Sequence, residues 1–205
     1  MITPFNWIRA SFVLAICTLG LGCTGKDAND SADTDTDTDT DTDTDTDTGN
    51  TDIGVLADGF ESTLTQTQGC SDVSLSTYSE DGTTLLGFSY YGLMTEAYES
   101  GVESLSVSIS FPGEAYLVVE TGENLDQTPC NDVIKEDVVY YRSYQATSGQ
   151  GVLTVTPTEK EWKEMSVPGT ATVVLTNVEF THEESGHTVS LPTFTISDYV
   201  GWFPG

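Results

Sequence analysis

Val102-Glu103-Ser104-Leu105-Ser106-Val107-Ser108-Ile109-Ser110-Phe111 sets an apolar residue at every second position from Leu105 to Phe111, with serine between. A period of two places one set of side chains on each face of a pleated strand, so this stretch predicts a half-buried strand, ended by Pro112-Gly113. On either side, further strand candidates are Ser71 to Tyr78, Thr84 to Tyr91, Ala115 to Glu120, Asp137 to Ala146, Gly151 to Thr156, Thr170 to Thr181 and Thr188 to Ile196. Turn signals stand between these runs at Asp81-Gly82, Thr121-Gly122, Ser148-Gly149 and Ser185-Gly186. Pro157 to Met165 alone has a helical look, with Pro168-Gly169 beyond its end. About eight strands and one short helix predict an all-β fold, an antiparallel β-sandwich or jelly-roll-like barrel.

Two of the runs change phase. Ala171, Val173 and Leu175 share one parity, and Val178 and Phe180 the other. The next run shifts likewise between Val189, Leu191 and Phe194, Ile196, with Pro192 at the break. A bend near Asn177 keeps both sets inward, so the pair reads as a hairpin wrapped around a curved sheet.

The N-terminal part is of another kind. Arg9 precedes an apolar segment from Ala10 to Gly22 that is too short to span a bilayer, and Cys23 follows it. Gly20-Leu21-Gly22-Cys23, with Leu19 one position early, resembles the lipobox of bacterial lipoprotein precursors. The resemblance covers residues 1–23. It implies a signal peptide over 1–22, acylation of Cys23, a partner membrane reached through that lipid, and a place in the cell envelope. Thr24, where Asp would resemble the inner-membrane retention signal, directs the expectation to the outer membrane. Residues 23–51 then form a tether, in which Asp and Thr alternate from Asp33 to Thr48. With no apolar position and a charge at every second residue, nothing there offsets the loss of chain entropy, and an extended, disordered spacer is expected. The extracytoplasmic β-rich domain is expected over 52–205.

The chain carries a formal charge of −27; from Asp52 onward, Lys135, Arg142, Lys160 and Lys163 stand against 23 acids, a net −19. Such a surface repels phosphate backbones and anionic headgroups, which disfavours nucleic acid and electrostatic docking to a bilayer. Of the four cysteines, Cys17 lies in the signal segment and Cys23 is the lipid site, leaving Cys70 and Cys130. In an oxidising envelope their single pairing predicts a disulfide. The related words Cys70-Ser71-Asp72-Val73 and Cys130-Asn131-Asp132-Val133 read as two strand starts and hint at an internal duplication.

Candidate sites are sparse. Tyr90, Tyr91, Tyr140, Tyr141, Tyr144 and Trp162, with Tyr98, form an aromatic set that a sheet can present as a ligand face for protein or glycan. His182 and His187 flank Glu183, Glu184, Ser185 and Gly186 at a hairpin tip and are weak metal candidates, an incomplete ligand set. Glu159, Glu161 and Glu164 beside Trp162 read as a solvated helix face rather than a glycosidase pair. No nucleophile elbow, zinc helix, phosphate loop or dinucleotide fingerprint occurs, and no cofactor is called for. The expected role is a noncatalytic binding or interaction module of an envelope lipoprotein; the alternatives are a structural surface lipoprotein and a polysaccharide-acting enzyme.

Overall fold

A computed structural model of the chain describes residues 53–131, 133, 135–158 and 167–201. The expected all-β antiparallel architecture is found, as one eight-stranded sheet that curls. The strands are β1 (Leu64–Cys70), β2 (Ser74–Ser79), β3 (Thr84–Ser89), β4 (Leu105–Ser110), β5 (Tyr116–Glu123), β6 (Val139–Pro157), β7 (Gly169–His182) and β8 (Thr188–Val200). Their order is β1-β2-β3-β5-β6-β7-β8, with β4 attached to β6. One edge of the long strand β6 is shared: β5 pairs with Val139 to Gln145, and β4 with Gln150 to Val155.

The two ends of this order come together. The Gly201 amide donates to the Ser71 carbonyl at 2.6 Å. Gly69 in β1 lies so close to β8 that a Cβ there would stand 2.5 Å from the Tyr199 carbonyl oxygen. Glycine is required at that point by contact, because its backbone conformation is an ordinary one. The curl encloses a single core built from the inward parity of every strand, with Leu75, Leu86, Val119, Leu153, Leu175 and Phe180 fully buried. Each such side chain contributes about 1.5–3 kcal/mol of transfer free energy.

The bend expected near Asn177 is present. Asn177 adopts φ 49°, a left-handed conformation that Asn tolerates better than most residues. The β7–β8 register runs without a shift from Gly169↔Val200 to Thr181↔Thr188, which sets Asn177 opposite Pro192, so both strands change faces together. On the other side β6 absorbs the bend through irregularities between Ala146 and Gln150. Gly149 takes φ 121° there, and a Cβ on it would meet the Val178 Cα at 2.6 Å.

Several expectations are corrected. Ser148-Gly149 is not a turn between two strands but the bulged middle of β6, since β7 pairs with β6 on both sides of it, from Tyr144 to Pro157. Thr121-Gly122 likewise lies inside β5 at a register shift. Leu64 to Cys70 is an additional strand, and Ser71 to Val73 forms the turn after it. A helix absent from the expectations, α1 (Leu93–Glu99), buries Leu93, Met94 and Ala97 on one face, and the Asp72 carboxylate accepts the amide of Gly92 at its start. The helix expected from Pro157 to Met165 lies outside the described residues beyond Thr158, and Pro157 itself ends β6.

Candidate functional site

Beside the end of β5 and the start of β6, Ile53 to Leu56 run as a strap against the sheet. Three side chains on the inward face hold this strap by its main chain. Arg142 Nε donates to the Ile53 carbonyl at 3.1 Å, Thr121 Oγ1 donates to the Gly54 carbonyl at 2.6 Å, and the Leu56 amide donates to the Tyr144 hydroxyl at 3.0 Å. Thr121 and Arg142 are register partners on β5 and β6, which is why they act on adjacent carbonyls. Gly54 has φ 71°, and a Cβ there would lie 2.5 Å from the Tyr141 Cβ, so both conformation and space call for glycine.

Tyr144 is therefore no part of a ligand face. It is fully buried, and the imidazoles of His182 and His187 pack on its ring at centroid distances of 5.3 and 5.8 Å. The histidines are themselves paired through the His182 amide and the His187 carbonyl at 2.9 Å. The Ser185 amide donates to His182 Nδ1 at 3.3 Å, and its hydroxyl lies 2.8 Å from the same nitrogen. Because the Ser185 Oγ also accepts the His187 amide, this Ser–His contact closes the turn. Nδ1 of His187 is buried without a hydrogen-bond partner. Among the described residues no group of three or more His, Cys, Asp or Glu gathers in a way that could hold a metal ion.

Outside the strap two adjoining shallow clefts, of about 520 and 360 Å³, share Tyr140, Tyr141, Arg142, His182 and Glu184 in their walls. Glu120 lines the second, and its burial holds its carboxyl above the usual carboxylate range. Tyr141 donates its hydroxyl to Glu123, a bond that keeps the phenol above its usual range. Tyr140 is 54% exposed. A cationic Arg142 rimmed by Glu120, Glu183 and Glu184, with two phenol rings beside it, is suited to recognising polar, hydrogen-bonding groups at a surface.

The aromatic set does not form one face. Tyr90 and Tyr91 follow β3, whose Ser89 pairs with Tyr116 at the start of β5, whereas Tyr140 pairs with Gly122 near its end. Those ends are about 20 Å apart at the rise of an extended strand. Tyr90 is half-buried and donates to Glu114 at 3.3 Å, and Tyr91 is exposed. Tyr98 lines a separate cleft of about 640 Å³ with Glu99, Glu103 and Pro157. Trp162, with Glu159, Glu161 and Glu164, lies outside the described residues, as does Cys23. Cys70 and Cys130 are joined in a disulfide with a Cα–Cα distance of 5.7 Å. The two cysteine words are not equivalent: Cys70 ends β1, and Cys130 lies in the loop after a 3₁₀ turn at Leu125–Gln127.

In the sequence Thr121 reads only as part of a turn signal and Glu120 only as a strand end, Gly54 carries no signal, and Arg142 stands out only as one of the domain's few basic residues. That scarcity was its available signal. Compared with protein-family models, curated proteins and solved structures, the chain has no match. No helix among the described residues is long and apolar enough to cross a membrane.

Proposed function

We propose that this protein is an outer-membrane lipoprotein of the cell envelope, acylated at Cys23, whose domain is a noncatalytic binding module displayed on the Asp/Thr tether. The observation that carries the binding half is the open cleft around Arg142, where Tyr140 and Tyr141 stand at the surface of the first residues of β6, which pair with β5, just before the β7 pairing begins at Tyr144. Such a site preorganises recognition groups without burying a substrate. The Ser185 hydroxyl and His182 close their own turn, which favours binding over catalysis. The anchoring half rests on the lipobox-like Gly20-Leu21-Gly22-Cys23.

Labelling cells with a tagged fatty acid tests the anchor. Cys23→Ser abolishes the label and moves the protein out of the membrane fraction; a label that persists overturns the proposal. For the module, a saturable rise of the thermal midpoint with a ligand, lost in Tyr140→Ala, is the expected result.

A further inference from the structure

Beyond the bend at Asn177 the outer surface of four strands changes character. Outward positions of Ser106–Ser110 in β4, Gln150–Thr156 in β6, Thr170–Thr176 in β7 and Thr193–Tyr199 in β8 contain no Asp, Glu, Lys or Arg. Apart from Gln150, Val152, Val174 and Tyr199, every one of them is Ser or Thr. In a domain of net charge −19 this is a charge-free field. Acidic side chains resume on the far side of the bend, at Glu179 and then at Glu183 and Glu184.

The field is ordered. Register runs unbroken across all four strands, so Ser106, Thr154, Thr172 and Ser197 form one row. Within it the hydroxyls of Ser106 and Thr154 lie 2.8 Å apart, and those of Thr172 and Ser197 2.6 Å apart. These pairs fix hydroxyl directions while leaving each oxygen further hydrogen-bonding capacity. The next row is centred on the register partners Val152 and Val174, 46% and 38% exposed, and Tyr199 stands at a corner, 44% exposed. The grid repeats at about 7 Å along the strands and about 5 Å across them.

We propose that this face is a docking surface for an extended, uncharged polysaccharide. An apolar partner would bury these hydroxyls unsatisfied, at about 1–3 kcal/mol for each one left without a partner. A polyanion is repelled by the domain's field, and a polycation is drawn to the acidic surfaces elsewhere. A second copy of the chain brings the same net charge against itself. A neutral glycan supplies what remains: dense donors and acceptors for the Ser/Thr grid, and C–H faces for Val152, Val174 and Tyr199. Because the hydroxyl pairs are set before contact, little ordering cost falls on the protein side. This face shares no residue with the Arg142 cleft, so the inference goes beyond the binding-module proposal and stands or falls separately from it.

The test is electrophoresis of the purified full-length protein in detergent through native gels containing hydroxyethyl cellulose, dextran or soluble starch, with alginate as the acidic comparison. Saturable retardation by at least one neutral glycan and none by alginate is the expected result. Val152→Glu with Val174→Glu is expected to weaken retention by about tenfold, because the new carboxylates are desolvated under the glycan. Ser190→Glu, across the bend, leaves retention as it was. If the double variant unfolds, Thr195→Lys on the last strand of the sheet carries the same expectation. Absence of retardation by every neutral glycan overturns the inference, as does equal retention of the charged variants. Concentration-dependent dimers abolished by Val174→Glu, without glycan retention, overturn it in favour of a second copy. Lost retention with fatty-acid labelling intact sinks this inference alone; lost labelling with retention intact sinks the anchor alone.

Discussion

The buried hydroxyl of Tyr144 accepts the amide of Leu56 at 3.0 Å, joining the start of the domain to the first third of its longest strand. Around this bond, Arg142 and Thr121 hold the carbonyls of Ile53 and Gly54, and the two histidines of the β7–β8 hairpin pack against the ring.

Tyr144→Phe keeps the ring and removes the acceptor, leaving a nearly buried amide unsatisfied. The expected cost is about 1–3 kcal/mol of unfolding free energy. Denaturant titration measures it, and hydrogen exchange should show the Leu56 amide among those that lose protection. A change near zero would mean that water replaces the hydroxyl at no cost.

Reducing the Cys70–Cys130 disulfide, or replacing both residues by Ser, frees a loop with a sequence separation of 60. The chain-entropy model gives a loss of about 4 kcal/mol for a loop of that size. Thiol titration of the native protein should find neither cysteine free, and the thermal midpoint should fall on reduction.

At the seam, Gly69→Ala drives a methyl group toward the Tyr199 carbonyl and forces β1 away from β8. Overpacking of this kind costs about 1–3 kcal/mol. The sharper expectation is spatial: amides of β1 should gain exchange while those of the β6–β7 ladder do not.

Asn177 supplies the left-handed residue at the bend. Asn177→Gly should be close to neutral, whereas Asn177→Val places a β-branched residue at positive φ and should cost about 1–3 kcal/mol. Comparing denaturation midpoints of the two variants separates backbone conformation from side-chain loss.

Burial raises the carboxyl of Glu120 above its unfolded value, so its protonated form is favoured in the folded state. Its linkage contribution is therefore fully present below the unfolded carboxylate range and is lost as pH rises through the raised folded value. Glu120→Gln lacks that titration. The variant should be the more stable protein at neutral pH, with its advantage shrinking as pH falls toward 4, the ordinary range of a glutamate carboxyl. An advantage independent of pH would show that Glu120 does not titrate differently on folding.

Local pattern was enough to show the β class. Alternation through Leu105 to Phe111 and the parity changes at Asn177 and Pro192 are statements about inside and outside, and a sequence carries them residue by residue. Strand β1 escaped because Leu64-Thr65-Gln66-Thr67-Gln68 offers one apolar residue for burial, and its place is set by pairing with β2 and closeness to β8. Helix α1 escaped because seven residues give only two turns of periodicity.

Residue order alone carries which side chains prefer the interior of a pleated sheet and where the chain changes phase. It took the folded chain to make Val139 to Pro157 one strand, to put Tyr144 in the core while Tyr140 and Tyr141 stay at the surface, and to gather the uncharged positions of four separate strands on one face. The reason is physical: side-chain alternation is a property of neighbours along the chain, whereas strand order, closure of the curl and the company each outward side chain keeps depend on contacts between residues far apart in it.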